Sequence, residues 1–341
     1  MLEINSGRIQ NPKTLIPDEI ARECEKRGKL VVQFSTSDSY PTDILLALNE
    51  ACRIAKDHLQ VRFYGHYGTF FDAKVVRHLP EARDLAVDCL RIENEDEIGH
   101  LTNLISLNFG VFELDRPDFL KTLRLGQLEK LGLIENRKRN FDLSPLAECK
   151  SLQSLFVNGH SKNIDVLVGL QQLRKLSLGA YAKKNRLDFL NGMTSLKDLT
   201  LILGGRSDIN DLMSETLEIL QILRVQGVET LGDLSRMPAL AALRVEDQIK
   251  LRHLDLTGAK LQRLALFNCK NLTELSGLDM QGDIEEFAVS RTALDLDKLR
   301  DRDWPVSARS VRLFSGSRKW NDAAEAQMSA RNLNQKPDYW F

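Results

Sequence analysis

The chain lacks most of what would commit it to a membrane, an oxidising compartment or a catalytic centre. No apolar run approaches the roughly 18–20 residues that cross a bilayer as a helix. The five cysteines, Cys24, Cys52, Cys89, Cys149 and Cys269, are odd in number and far apart. With no C-x-x-C and no paired His/Cys spacing, neither a disulfide framework nor a zinc site is expected. They read as small buried apolar side chains in a reducing compartment. The start, Met1-Leu-Glu-Ile-Asn-Ser6, shows no basic region followed by an apolar stretch, so the expected location is cytoplasmic. Charge of one sign is missing too: 47 basic residues face 48 acidic ones, a net charge of −1. That balance gives no overall pull toward nucleic acid or an anionic membrane. No G-x-S-x-G, phosphate loop, dinucleotide fingerprint or H-E-x-x-H occurs, and the six histidines sit at no ligand spacing. No cofactor, metal or reaction is expected.

What is present is one phrase spoken repeatedly. Leu152-Gln-Ser-Leu155-Phe-Val157, Leu173-Arg-Lys-Leu176-Ser-Leu178 and Leu196-Lys-Asp-Leu199-Thr-Leu201 are L-x-x-L-x-L units. Their steps are about 21 and 23 residues, within the 20–29 of a leucine-rich repeat. The L-x-L part is a short strand with its apolar residues on one side. No unit buries its leucines alone, so neighbours stack around a shared core. The period places strand cores at Val61, Leu85, Leu107, Leu131, Leu155, Leu176, Leu199, Leu223, Leu243, Leu264, Phe287 and Val311. Two further look-alikes, Leu120–Leu125 and Leu251–Leu256, lie too close to the next strand and belong to return segments, a tighter two-strand coil being the alternative.

The return segments Leu143-Ser-Pro-Leu146-Ala-Glu-Cys149-Lys-Ser-Leu152, Ile164–Leu173 and Leu187–Leu196 place apolar residues every third position, as 3-10 turns do. Over most of Leu79 to Phe314 these units resemble the roughly 22-residue repeats of bacterial internalins and of the leucine-rich regulatory subunit of type 1 protein phosphatase. The resemblance implies an α/β fold, a right-handed solenoid with a parallel concave sheet and 3-10 turns on the convex face. One column departs from it. Where those repeats carry a ladder asparagine, this chain has His66, Leu90, Phe112, Asn136, His160, Tyr181, Gly204, Val228, Gln248, Cys269, Thr292 and Gly316. Only Asn136 matches, so buried backbone groups elsewhere need other partners.

Three regions are expected. Residues 1–58 form an N-terminal α/β cap, with helices from Pro17 and from Thr42 to His58 around a strand over Lys29–Phe34. Residues 59–316 form the repeat array. Residues 317–341 form a C-terminal cap and tail, with a helix over Trp320–Arg331 and an aromatic terminus Tyr339-Trp340-Phe341 that covers the last coil or docks a partner.

Strand alternation turns two columns outward. They supply the candidate binding residues Arg62, Tyr64, Asn108, Phe156, Asn158, Arg224, Arg244, Phe267, Arg312 and Phe314, with Tyr181 from the turn column. Phenylalanine, tyrosine and arginine are enriched at protein interfaces. The glycines Gly110, Gly132 and Gly179 would leave the middle of the face shallow for a protruding partner element. Arginines with few acids beside them suggest an acidic or mixed partner surface. The leading expectation is a non-catalytic protein-binding module, an inhibitor such as an immunity protein or a regulatory subunit. The alternatives are an enzyme using Ser35, Ser37, Asp38 and Tyr40, or a nucleic-acid binder using the arginine face. The Glu93–Glu97 acidic run and the Arg137–Arg139 and Lys183–Arg186 basic clusters read as solvated turns.

Overall fold

The computed structural model describes residues 3–182 and 184–337, whose contacts divide the chain into two compact units, Met1–Leu173 and Arg174–Phe341. In the first, Pro17 starts α1 (Pro17–Arg27), Asp18 and Glu19 sit at its positive end, and Lys26 and Arg27 at its negative end. Gly28, at φ 78°, stops it. The second helix, α2 (Thr42–Ala55), buries the expected stripe of Ile44, Leu45, Leu48, Ala51, Cys52 and Ala55, and the two helices pack together.

The strands of this unit are β1 (Arg8–Gln10), β2 (Leu30–Phe34), β3 (Leu59–Gly65), β4 (Phe71–Asp72), β5 (Asp84–Cys89), β6 (Ile92–Glu93), β7 (Ser106–Phe109), β8 (Lys130–Leu133) and β9 (Ser154–Asn158). All but β4 and β6 form one parallel sheet in the order β1-β2-β3-β5-β7-β8-β9. Val61, Leu85, Leu107, Leu131 and Leu155 stand side by side across it. The short strands β4 and β6 pair separately. β1 escapes the sequence pattern because three residues with a single buried position, Ile9, are too short to show a period.

Return segments close through the three-residue spacing itself. Leu146 N–H donates to the Leu143 carbonyl at 2.9 Å, Cys149 to Leu146 at 2.9 Å and Leu152 to Cys149 at 3.2 Å, and all four side chains are buried. The Leu120–Leu125 look-alike falls in such turns, as expected.

The second unit contains β10 (Lys175–Gly179), β11 (Asp198–Ile202), β12 (Ile219–Leu223), β13 (Ala242–Glu246), β14 (His253–Asp255), β15 (Arg263–Phe267), β16 (Glu274–Ser276), β17 (Glu286–Ser290) and β18 (Ser310–Phe314), with α3 (Leu296–Asp301) and α4 (Arg318–Ala330). Its parallel sheet runs β10-β11-β12-β13-β15-β17-β18. β14 lies in a return segment, as placed from the spacing, and pairs there with β16.

One strand core is corrected. Leu220, not Leu223, aligns with Leu199 and Leu243. The segment Leu217-Glu-Ile-Leu220-Gln-Ile222-Leu223-Arg-Val225 contains two overlapping L-x-x-L-x-L frames, and the chain uses the earlier one. Arg224 consequently leaves the strand in a left-handed conformation, φ 53°, like Leu203, Asp247, Asn268 and Arg291 at the equivalent exits.

The last strand edge is covered. Val311 N–H donates to the Leu333 carbonyl at 2.7 Å, Gln335 N–H to Arg309 at 3.0 Å, and Asn334 bridges Ser310 in antiparallel sense. Above it α4 buries Ala324 and Met328. The aromatic terminus Tyr339-Trp340-Phe341, and Lys183 of the basic loop, lie outside the described residues.

Candidate interface on the outward sheet face

Inward leucines fix the register, and the register fixes what the opposite side of each sheet displays. In the first unit Arg62 and Tyr64 come together. The Arg62 guanidinium lies 4.7 Å from the centre of the Tyr64 ring and pairs with Asp88 at 2.5 Å. Tyr64 Oη and Gln33 Nε2 both donate to Gln10 Oε1, at 2.7 and 2.6 Å, and Arg62 also donates to Gln33 Oε1 at 3.2 Å. Gln10 and Gln33 were invisible to the repeat pattern, since they precede the first unit that repeats. Asn108 is exposed, and Phe156 and Asn158 are half-buried on the same face.

The middle of that face is not shallow, which corrects the reading of two glycines. A Cβ on Gly110 would meet the Ile134 side chain at 3.1 Å, and one on Gly132 would meet Asn108 Oδ1 at 2.8 Å. The glycines make room for these neighbours rather than for a guest.

In the second unit four of the expected residues converge. The register sets Arg244, Ala265, Ala288 and Arg312 in one row and Glu246, Phe267, Ser290 and Phe314 in the next. Between them lies a cleft of about 170 Å³, floored by Ala265 and Ala288 and walled by Phe267, Phe314, Arg312 and Pro337. Arg244 sits 5.7 Å from the Phe267 ring centre and pairs with Glu246. Phe314 is 44% exposed, so one wall of the cleft is open to an incoming group. Arg312 donates to the Asn334 and Gln335 carbonyls at 3.4 and 3.3 Å. Pro337 reaches this cleft from about 23 residues beyond Phe314, a proximity that no repeat period encodes.

Two expected residues fall elsewhere. Arg224 projects from the strand exit and pairs with Asp247 at 2.8 Å. Tyr181 is 7% exposed and donates from its hydroxyl to the Arg186 carbonyl at 3.1 Å, so it builds a turn. The face is also less basic than its arginine columns imply. Arg62, Arg224 and Arg244 each face a carboxylate and Arg312 faces carbonyls, leaving a face of mixed sign.

At its polar positions the degenerate turn column keeps its bonding role with altered chemistry. Asn136 Nδ2 donates to the Leu114 carbonyl at 2.9 Å, and Gln248 Nε2 reaches Ile222 at 3.4 Å and Glu246 at 2.7 Å. The Cys269 thiol reaches Val245 at 3.7 Å. His160 does the same: Nε2 contacts the Ile134 carbonyl at 3.0 Å, and Nδ1 accepts from Phe141 N–H at 3.1 Å. Those two contacts assign a neutral ring protonated at Nε2. Burial pushes the His160 pKa down, opposed by the Ile134 carbonyl.

The folded value therefore lies below the unfolded one of about 6.5. This stability is present above that pH and is lost as pH falls toward the folded value. His160→Asn is expected to flatten the drop in urea midpoint between pH 7.5 and 5.5. An unchanged drop would contradict the assignment.

Of the polar residues proposed for chemistry, Tyr40 and Ser35 are held in structure, while Ser37 and Asp38 are exposed on a short 3-10 turn. Tyr40 Oη and His66 Nε2 are 3.0 Å apart in the core, and Ser35 Oγ accepts from Asn11 Nδ2 at 2.8 Å. In the acidic run, the Arg77 guanidinium holds the Glu97 pKa down to about 2, while Glu95 and Asp96 pair with Arg116. Among the described residues no group of three or more His, Cys, Asp or Glu side chains is placed to hold a metal ion, and no helix is long and apolar enough to cross a membrane.

Parallel L-x-L strands, three-residue return turns and a polar turn column define the class: the chain is a leucine-rich-repeat protein, an α/β fold of right-handed solenoid coils with an N-terminal α/β cap. No protein-family model and no curated protein matches the sequence. Among solved structures, it is similar to the internalin InlF of Listeria monocytogenes at 16% identity and TM-score 0.43, covering 79% of this chain and 86% of that one. The functional domain of InlJ from the same organism is 16% identical at TM-score 0.49, covering 90% of this chain and 62% of that one. A leucine-rich-repeat protein of Leptospira interrogans is 14% identical at TM-score 0.37, covering 88% and 92%.

Proposed function

We propose that this is a non-catalytic protein-binding protein that grips its partner on the outward sheet face. The observation that carries the reading is the cleft between Phe267 and Phe314, with an alanine floor, Arg312 in its wall and Arg244 against the Phe267 ring. Aromatic and arginine side chains around an apolar recess are the composition of binding hot spots. A substrate pocket would instead bring acid and base groups together. The face is of mixed sign, so the partner presents an apolar or aromatic projection within a mixed-charge rim. An inhibitor of the immunity type and a regulatory subunit are the two roles this fits. The cytoplasm is the proposed compartment, supported by five cysteines that are all free and buried.

Photo-crosslinking tests the location. A photoreactive residue at position 314 should trap one discrete partner from native lysate, and one at position 280 should trap none. Met280 is a fair control because it is 72% exposed and sits on a 3-10 turn of a return segment. Trapping from position 280 alone would move the interface off the sheet.

A further inference from the structure

We propose that the turn rim of the first unit, from Tyr67 and Phe70 through Phe112 to Arg137 and Lys138, is a docking surface separate from the outward sheet face. Its partner is an extended acidic peptide segment with an aromatic or aliphatic anchor. This goes beyond the sheet-face reading and does not depend on it.

The turns that leave successive strands are stitched into one rim. Leu90 N–H donates to the Gly65 carbonyl at 3.3 Å, Phe71 to Arg91 at 3.0 Å, Glu113 to Leu90 at 2.9 Å and Arg137 to Phe112 at 2.8 Å. In the turn column Asn136 and His160 are buried and bond backbone, whereas Leu90 is half-buried and Phe112 is 43% exposed. Phe70 is 46% and Tyr67 83% exposed on the same rim. Phe63, Phe71 and Phe109 of the same coils are fully buried, so the core is filled without the exposed rings. A contiguous exposed apolar strip marks an interaction surface.

Charge selects the occupant. Arg91 lies 5.6 Å from the centre of the Phe70 ring, and its Nε is 3.1 Å from Glu113 Oε2, so that carboxylate is neutralised. Arg139 takes Asp115, and Arg116 takes Glu95 and Asp96. Arg137 and Lys138 are exposed and have no ion pair among the described residues. Glu135 leans the other way, over the next coil, where a Cβ on Gly159 would meet its Cγ at 3.0 Å. Exposed rings beside two unpaired cations complement an apolar anchor flanked by carboxylates. Phe70 and Phe112 belong to coils two strand spacings apart, about 10 Å, a distance that about three residues of extended peptide cover.

The test pans a random-sequence peptide display library against the full chain and against a Phe112→Ser/Arg137→Glu variant. Peptides retained only by the full chain should share acidic residues beside an aromatic or aliphatic one. A synthetic copy of the best should lose about tenfold in affinity with Arg137→Glu/Lys138→Glu, the effect of reversing two exposed charge contacts. That pair leaves every ring in place should Phe112→Ser disturb its turn. Binding should weaken with added salt and be unchanged by Ala288→Arg.

A library that does not distinguish the two chains, or a retained set without acids, would overturn the inference. So would displacement of the peptide by single-stranded oligothymidylate, which would assign the rim to nucleic acid, or rim-dependent dimerisation in sedimentation, which would mean a second copy. Peptides lost with Ala288→Arg would belong to the sheet face, defeating this proposal and not that one.

Discussion

Gly99→Ala is expected to destabilise the first unit by about 3 kcal/mol, the upper end for overpacking a rigid site. Gly99 is buried in the 3-10 turn Glu95–His100, and a Cβ there would lie 1.9 Å from the Thr122 carbonyl oxygen of the next coil. Backbone, unlike the tip of a long side chain, has no rotamer to escape into. Thr122 also belongs to a 3-10 turn, Phe119–Thr122, so relief would have to separate two stacked coils. In a repeat array each coil is held chiefly by its neighbours, which makes that separation expensive and local. Gly169→Ala is the matched control. It too lies at the C-terminal end of a 3-10 turn, one residue later in the turn than Gly99, but nothing lies within 4 Å of its Cβ, so its effect should stay within about 0.5 kcal/mol. Urea midpoints of the two variants, at unchanged slope, check the contrast.

The second large effect concerns binding. Ala288→Arg should weaken the partner complex about 30-fold or more, the loss of one hot spot of about 2 kcal/mol. Ala288 is the half-buried floor of the cleft, flanked in its row by Ala265 and Arg312. A long cation there fills the recess and sets like charge beside Arg312. Because the side chain points away from the leucines, the inward core keeps its packing. Stability should therefore change little while affinity collapses.

Much of this architecture was legible because repeats convert periodicity into contact. Leucine at two alternating positions specifies a strand and its buried side, and the three-residue spacing after Leu143 and Leu187 specifies turns closed by i to i−3 bonds. Where two frames overlapped, at Leu217–Val225, periodicity could not choose. The left-handed exit at Arg224 was hidden for the same reason. Side-chain direction was readable on the outward face, and it put Arg62 and Tyr64 on one side of their strand and Phe267 and Phe314 in one row. Side-chain company was not readable. The carboxylates that meet Arg62 and Arg244, the filling of Gly110 by Ile134, and the arrival of Pro337 all depend on distances between coils. Arginine-rich columns consequently looked more basic than the face is.

Affinity is the most direct measure of which side of the coils holds the partner. With the partner recovered by cross-linking, its titration against the unaltered chain, Ala288→Arg and Met280→Arg decides the matter. The expected result is loss of binding for Ala288→Arg and unaltered binding for Met280→Arg, with both variants folded. Undiminished binding by Ala288→Arg, or loss confined to Met280→Arg, would contradict an interface on the outward sheet face.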